Sequence, residues 1–138
     1  MPLELSLIPA NTALDSNSVG DAIEISASES HTFFCVLTIS DQVEQESLDV
    51  SIWGSPDGQE FGKLPLLKFP QQFYRGSTKM ILDVTLRPEV RYLRARWDVN
   101  RWGRVSPTPH FVAGLQLEEI PPMSRDTTTR RAVLIPKP

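Results

Sequence analysis

Five arginines and three aromatic rings crowd the stretch from 91 to 104: Arg91, Arg94, Arg96, Arg101 and Arg104, with Tyr92, Trp97 and Trp102. Side chains alternate between the two faces of a strand. Tyr92, Arg94, Arg96 and Asp98 therefore share one face, opposite Leu93 and Trp97. The loop from Asn100 to Arg104 then sets Trp102 between two guanidinium groups. Aromatic rings and arginines in that arrangement stack on sugars or bases, or anchor a protein interface. The competing reading is a solvated strand face paired with acidic neighbours, with Trp102 closing one end of the domain. Trp53 adds a second candidate. Leu48, Val50 and Ile52 define an inner face, so Trp53 points outward beside Gly54. An outward tryptophan suits contact with a partner, or lies beneath a loop or the C-terminal tail. The candidate binding residues are thus Trp53, Tyr92, Arg94, Arg96, Arg101, Trp102 and Arg104.

Catalytic arrangements are harder to assemble. The chain has two histidines, His31 in a turn and His110 at a strand start, and no nucleophile elbow. Glu118 and Glu119 are adjacent, so on a strand they face opposite ways and cannot form a glycosidase pair with each other. No Cys/His spacing suits zinc. The run from Asp15 to Gly20 begins like a calcium loop, but Val19 stands at the third ligand position and Ser26 replaces the bidentate glutamate. An ordinary Asx-rich loop explains it, with a different calcium site on Asp15, Asn17 and Asp21 as the alternative. The seven glycines are scattered and form no phosphate loop. Cys35 lies within Phe33-Phe34-Cys35-Val36-Leu37, reads as a small buried apolar residue, and has no cysteine to pair with. The expectation is a protein with no enzymatic activity, no cofactor and no metal.

Period-two alternation supplies the elements that carry these residues. It marks 3–7, 23–27, 48–52, 80–86, 93–99 and 111–117. Residues 32–40 are apolar on both faces, which predicts a central strand covered on two sides. Ser55-Pro56-Asp57-Gly58 suits a type I turn, Arg75-Gly76-Ser77 and Arg87-Pro88-Glu89 break other strands, and 41–47 form an acidic connection. Seven or eight strands predict an all-β antiparallel sandwich in one domain over 1–120. Ile25, Cys35, Leu37, Val50, Ile52, Leu82, Leu93 and Leu115 should form its core. From 121 to 138 the composition turns to Pro, Thr and Arg. Ala132-Val133-Leu134-Ile135 within it is an apolar tetrad that can dock as an edge strand, crossing between subunits in an oligomer.

Three pieces between 50 and 119 resemble the discoidin family, the coagulation factor 5/8 C-terminal type of galactose-binding-like jelly rolls. Val50 to Phe61 is similar to its strand, Asp-Gly turn and aromatic. Leu86-Arg87-Pro88-Glu89-Val90-Arg91-Tyr92-Leu93-Arg94-Ala95 resembles its Arg-Tyr strand after a proline. Gly114 to Glu119 is similar to its last strand. The family's terminal cysteine pair is missing, and the short N-terminal part does not match the region where that family often carries calcium and ligand loops. The resemblance implies a jelly roll of eight strands. Such folds bind glycans, lipids or proteins, and fold alone does not choose among them.

Charge is sorted along the chain. The first 62 residues carry 11 acidic and no basic side chains, whereas residues 63–138 carry 14 basic and 6 acidic ones, leaving −3 in total. The halves must pair within a molecule, between molecules, or with something else. An acidic chain with one arginine strand is a poor nucleic-acid binder. No apolar run approaches the ~20 residues of a membrane span, and Met1 to Ala10 lacks the basic start of a secretory signal. A reducing, cytoplasmic setting is expected. Two functions follow: a structural subunit that associates with itself or a larger assembly, and a carbohydrate-binding module.

Overall fold

The computed structural model describes residues 3–42, 46–101 and 111–121. Nine strands appear among them, and no helix: β1 (Glu4–Leu14), β2 (Ser18–Val19), β3 (Ile23–Glu24), β4 (Thr32–Gln42), β5 (Glu46–Ser55), β6 (Leu67–Lys68), β7 (Gly76–Asp83), β8 (Tyr92–Arg101) and β9 (Phe111–Glu119). They form two antiparallel sheets. One runs β1-β9-β4-β7, and the other β2-β8-β5-β6, with β3 also on β8. The β-sandwich expected from alternation is what forms. The strand count exceeds the expected eight because two-residue strands such as β2 and β6 are too short to alternate.

The core lies between the sheets. All eight residues expected in it are buried to 2% exposure or less. Phe33, Cys35, Leu37 and Ile39 of β4 face Leu115 and Leu117 of β9, and across the gap lie Val50, Ile52, Leu93 and Ala95. Burial pushes the Cys35 thiol up to about 12, so it stays protonated and unreactive.

Three expectations are corrected. β4 is covered on one side only: Phe34 is 36% exposed, and Thr38 is exposed. Phe34 and Val36 make part of its outer face apolar, but nothing described lies over them. The alternation over 80–86 places Leu86 on the same face as Met80, Leu82 and Val84, yet it is 91% exposed. The Asp83 carboxylate accepts the Thr85 N–H at 2.9 Å, and the Arg87 N–H bonds the Val84 carbonyl at 3.0 Å, so the chain turns away after Val84. The alternation over 23–27 places Ala27 on the face of Ile23 and Ile25. The Ser28 N–H instead bonds the Ile25 carbonyl at 2.9 Å, and this turn leaves Ala27 exposed. The apolar tetrad at 132–135 lies outside the described residues.

Candidate functional site

Strands β5 and β8 bring the candidate residues together. Their register sets Trp53 opposite Arg94, Ser51 opposite Arg96 and Asp49 opposite Asp98. These six side chains line the outer face of the second sheet. Leu48, Val50, Ile52, Leu93 and Ala95 fill its inner face. The charge segregation is partly resolved here, since the acidic fifth strand lies beside the basic eighth.

Trp53 is half-buried at the centre of this face. Its indole N–H donates to the Ser51 hydroxyl at 2.8 Å, which fixes the ring. The Arg96 guanidinium carbon lies 5.7 Å from the ring centroid, within reach of a cation–π attraction. The Arg96 Nε also approaches the Asp98 carboxylate at 3.9 Å. Arg94 sits closer over an aromatic, 3.9 Å from the centroid of buried Phe61. Its buried Nε has no hydrogen-bond partner among the described residues. Two concavities open here. One of about 490 Å³ is lined by Asn17, Asp49, Lys68, Asp98 and Asn100. The other, of about 500 Å³, is lined by Gln59, Phe61 and Arg94. Trp53, Lys63 and Arg96 belong to both.

The turn from Ser55 to Glu60 holds Phe61 in place. The Ser55 hydroxyl, not its carbonyl, accepts the Gly58 N–H at 2.9 Å. The Asp57 carboxylate accepts the N–H groups of Gln59 and Glu60 at 2.9 and 3.0 Å and the Ser55 hydroxyl. These donors, the Glu60 and Gln59 amides foremost, hold Asp57 down at about 2. Gly58 has φ +83, and a side chain there would meet the Tyr92 ring at 3.4 Å. Tyr92 therefore packs beneath this turn, outside both concavities. It supports the site without lining it.

Of the remaining candidates, Arg101 pairs through its backbone with Glu46. Trp102 and Arg104 lie outside the described residues, as does His110. Asn17, considered above as a calcium ligand, accepts the Val99 N–H at 2.7 Å. Among the described residues, no three His, Cys, Asp or Glu side chains gather where a metal could be held. Sequence reasoning missed Lys63, Lys68, Asp49 and Phe61 as parts of this face. The parity of Asp49 with Trp53 was available in the sequence. The approach of residues 61–68 depends on long-range pairing, as in the Leu66 N–H bond to the Ile52 carbonyl at 2.8 Å.

A second polar centre is structural. Glu119 is 3% exposed. One carboxylate oxygen accepts the Leu3 N–H at 2.9 Å. The other accepts the Ser28 hydroxyl at 2.6 Å and the N–H groups of Glu29 and Ser30 at 2.7 and 2.9 Å. Burial alone would push this group up. The Ser28 hydroxyl and the Ser30, Leu3 and Glu29 amides outweigh it and hold the carboxyl at about 2. The ion thus ties the first strand, the turn before β4 and the end of β9 together.

What the open face offers chemically is recognition: a fixed indole, cations from Lys63, Lys68 and Arg96, and acceptors on Asp49 and Asp98. No protein-family model matches the chain, and no curated protein matches it either.

Proposed function

We propose that this protein is a non-catalytic interaction module, a structural subunit that associates with itself or with a larger assembly. The observation that carries this reading is Trp53, half-buried and pinned to Ser51, flanked by Arg96 and lining both concavities with Lys63. A large ring held still by its own sheet, with charged groups around it, is suited to anchoring a partner at low conformational cost. Its test is the mass of the protein in solution at low and high salt. Species heavier than one chain are expected, and Trp53→Ala should weaken their formation while leaving the fold intact. A single-chain mass in all conditions, with no partner bound, would count against it.

The alternative is a carbohydrate-binding module on a jelly roll of the galactose-binding-like type. The observation favouring it is the ring of sugar-type hydrogen-bonding groups on Asn17, Asp49, Asp98 and Asn100 beside the Trp53 indole. A glycan panel read by tryptophan fluorescence distinguishes the two. If sugar is the ligand, Trp53→Ala or Trp102→Ala removes the response without unfolding the domain.

A further inference from the structure

The four sheet edges are not alike. In the second sheet the edge strands β2, β3 and β6 are two residues long. In the first sheet, β1 is interrupted by register shifts after Ser6 and after Ile8, contains Pro9, and has Asn11 at φ 61. Short strands, bulges and prolines are the usual means of blocking an edge. The seventh strand has none of them. All eight of its residues pair with β4 without a shift, from Thr32↔Asp83 to Ile39↔Gly76.

The direction of its backbone groups follows from one bond. The Val84 N–H donates to the His31 carbonyl at 2.9 Å, toward β4. Main-chain groups alternate along a strand, so Leu82, Met80 and Thr78 also point that way. Ser77, Lys79, Ile81 and Asp83 direct theirs to the open side, and among the described residues nothing pairs with them there. Beside this edge lies apolar surface: Ile81 is 58% exposed, and its neighbour across β4, Phe34, is 36% exposed.

We propose that a second copy of this chain occupies the edge, its β7 antiparallel to the first about a two-fold axis at Ile81. It rests on the reading of the chain as a self-associating subunit. This register puts Ile81 against Ile81 as a hydrogen-bonded pair, and it aligns Phe34, Ile81, Ile81 and Phe34 in one row of the outer surface. Two-fold symmetry then places each Lys79 opposite the other chain's Asp83. Opposite charges facing across strands stabilise the pair, and like charges oppose it. Among the described residues neither Lys79 nor Asp83 has an ion-pair partner within its own chain. The charge pattern selects this alignment: shifting the axis by two residues would bring Lys79 against Lys79 or Asp83 against Asp83. The two four-stranded sheets become one.

A single strand edge on each side makes a small interface, below ~1,200 Å², of the size found in weak complexes. Sedimentation velocity up to about 0.5 mM is therefore the suitable measurement. Wild type should show a concentration-dependent dimer. Lys79→Asp and Asp83→Lys should each dimerise on the order of tenfold more weakly, because each sets like charges opposite one another. An equimolar mixture of the two should recover dimer, since every facing pair is then opposite in sign. Ile81→Pro removes an N–H that points away from β4, and should give a folded monomer. Three results overturn the inference: wild type monomeric throughout, single variants that dimerise like wild type, or a mixture no better than its components. If a dimer survives all three variants but is lost in Trp53→Ala, the edge is wrong and the subunit reading stands. A wild-type monomer that binds a protein partner through Trp53 overturns the edge alone, whereas one that binds a glycan there overturns the subunit reading as well.

Discussion

Replacing Glu119 with glutamine changes one atom in a buried site that receives donors from two distant parts of the chain. The carboxylate accepts at both oxygens, from Leu3 on one side and from Ser28, Glu29 and Ser30 on the other. Glutamine keeps one acceptor, and its amide N–H groups must face donors. The magnitude follows from linkage. A carboxyl whose folded-state value falls from 4.5 to about 2 contributes about 3 kcal/mol at neutral pH. The sign is that of a depressed group: its stabilisation is complete above 4.5 and is lost as pH falls through 2. Glu119→Gln should therefore cost about 3 kcal/mol at pH 7. Between pH 7 and about 3, wild type should lose roughly 2 kcal/mol more than the variant. Urea unfolding of both proteins across that range measures this. Asp57 is also depressed, but it titrates in both proteins and cancels in the difference. A pH-independent offset between the two would refute the account, as would a neutral-pH cost near zero.

Two further outcomes test the packing. Leu93 is fully buried where β8 meets β3 and β5, so Leu93→Ala should cost about 2–5 kcal/mol by urea unfolding. A methyl group on Gly20 would stand 2.7 Å from the Leu7 carbonyl oxygen, and the Gly20 N–H is tied to the Ala95 carbonyl at 2.8 Å. Gly20→Ala should therefore destabilise by about 1–3 kcal/mol, measured the same way; an unchanged midpoint would show that this crossing can relax.

The core was legible because burial on one face of a strand leaves period-two alternation in the residues themselves. Cys35, Leu37 and Leu115 could be placed inside without knowing which strands pair. Glu119 shares the parity of Leu115 and Leu117, so its place on the inner face is also consistent with the pattern. What parity cannot supply is the set of donors at Leu3 and 28–30, some ninety or more positions away, that makes a buried carboxylate tolerable. The same limit hid Lys63 and Lys68 from the candidate face. Composition misled at β4, where Phe34 and Val36 suggested a covered strand. Apolar residues on an outer face record an affinity for other surfaces, and they carry no information on whether that surface belongs to the same chain. Leu86 and Ala27 failed for a local reason: each follows a strand pattern past the point where a hydrogen-bonded turn has ended the strand.

The place of β9 between β1 and β4 has a consequence for how the molecule is made. Strands one and four are not neighbours until the ninth enters between them, and Leu3 is bound to Glu119 across 116 positions of chain. Contacts of such separation close slowly, because the loop entropy is lost before they form. Until the ninth strand enters, the edges of β1 and β4 that it will join stay unpaired. The segment that emerges first is also the one with 11 acidic and no basic side chains. Mutual repulsion keeps such nascent chains apart while their strand edges are still open.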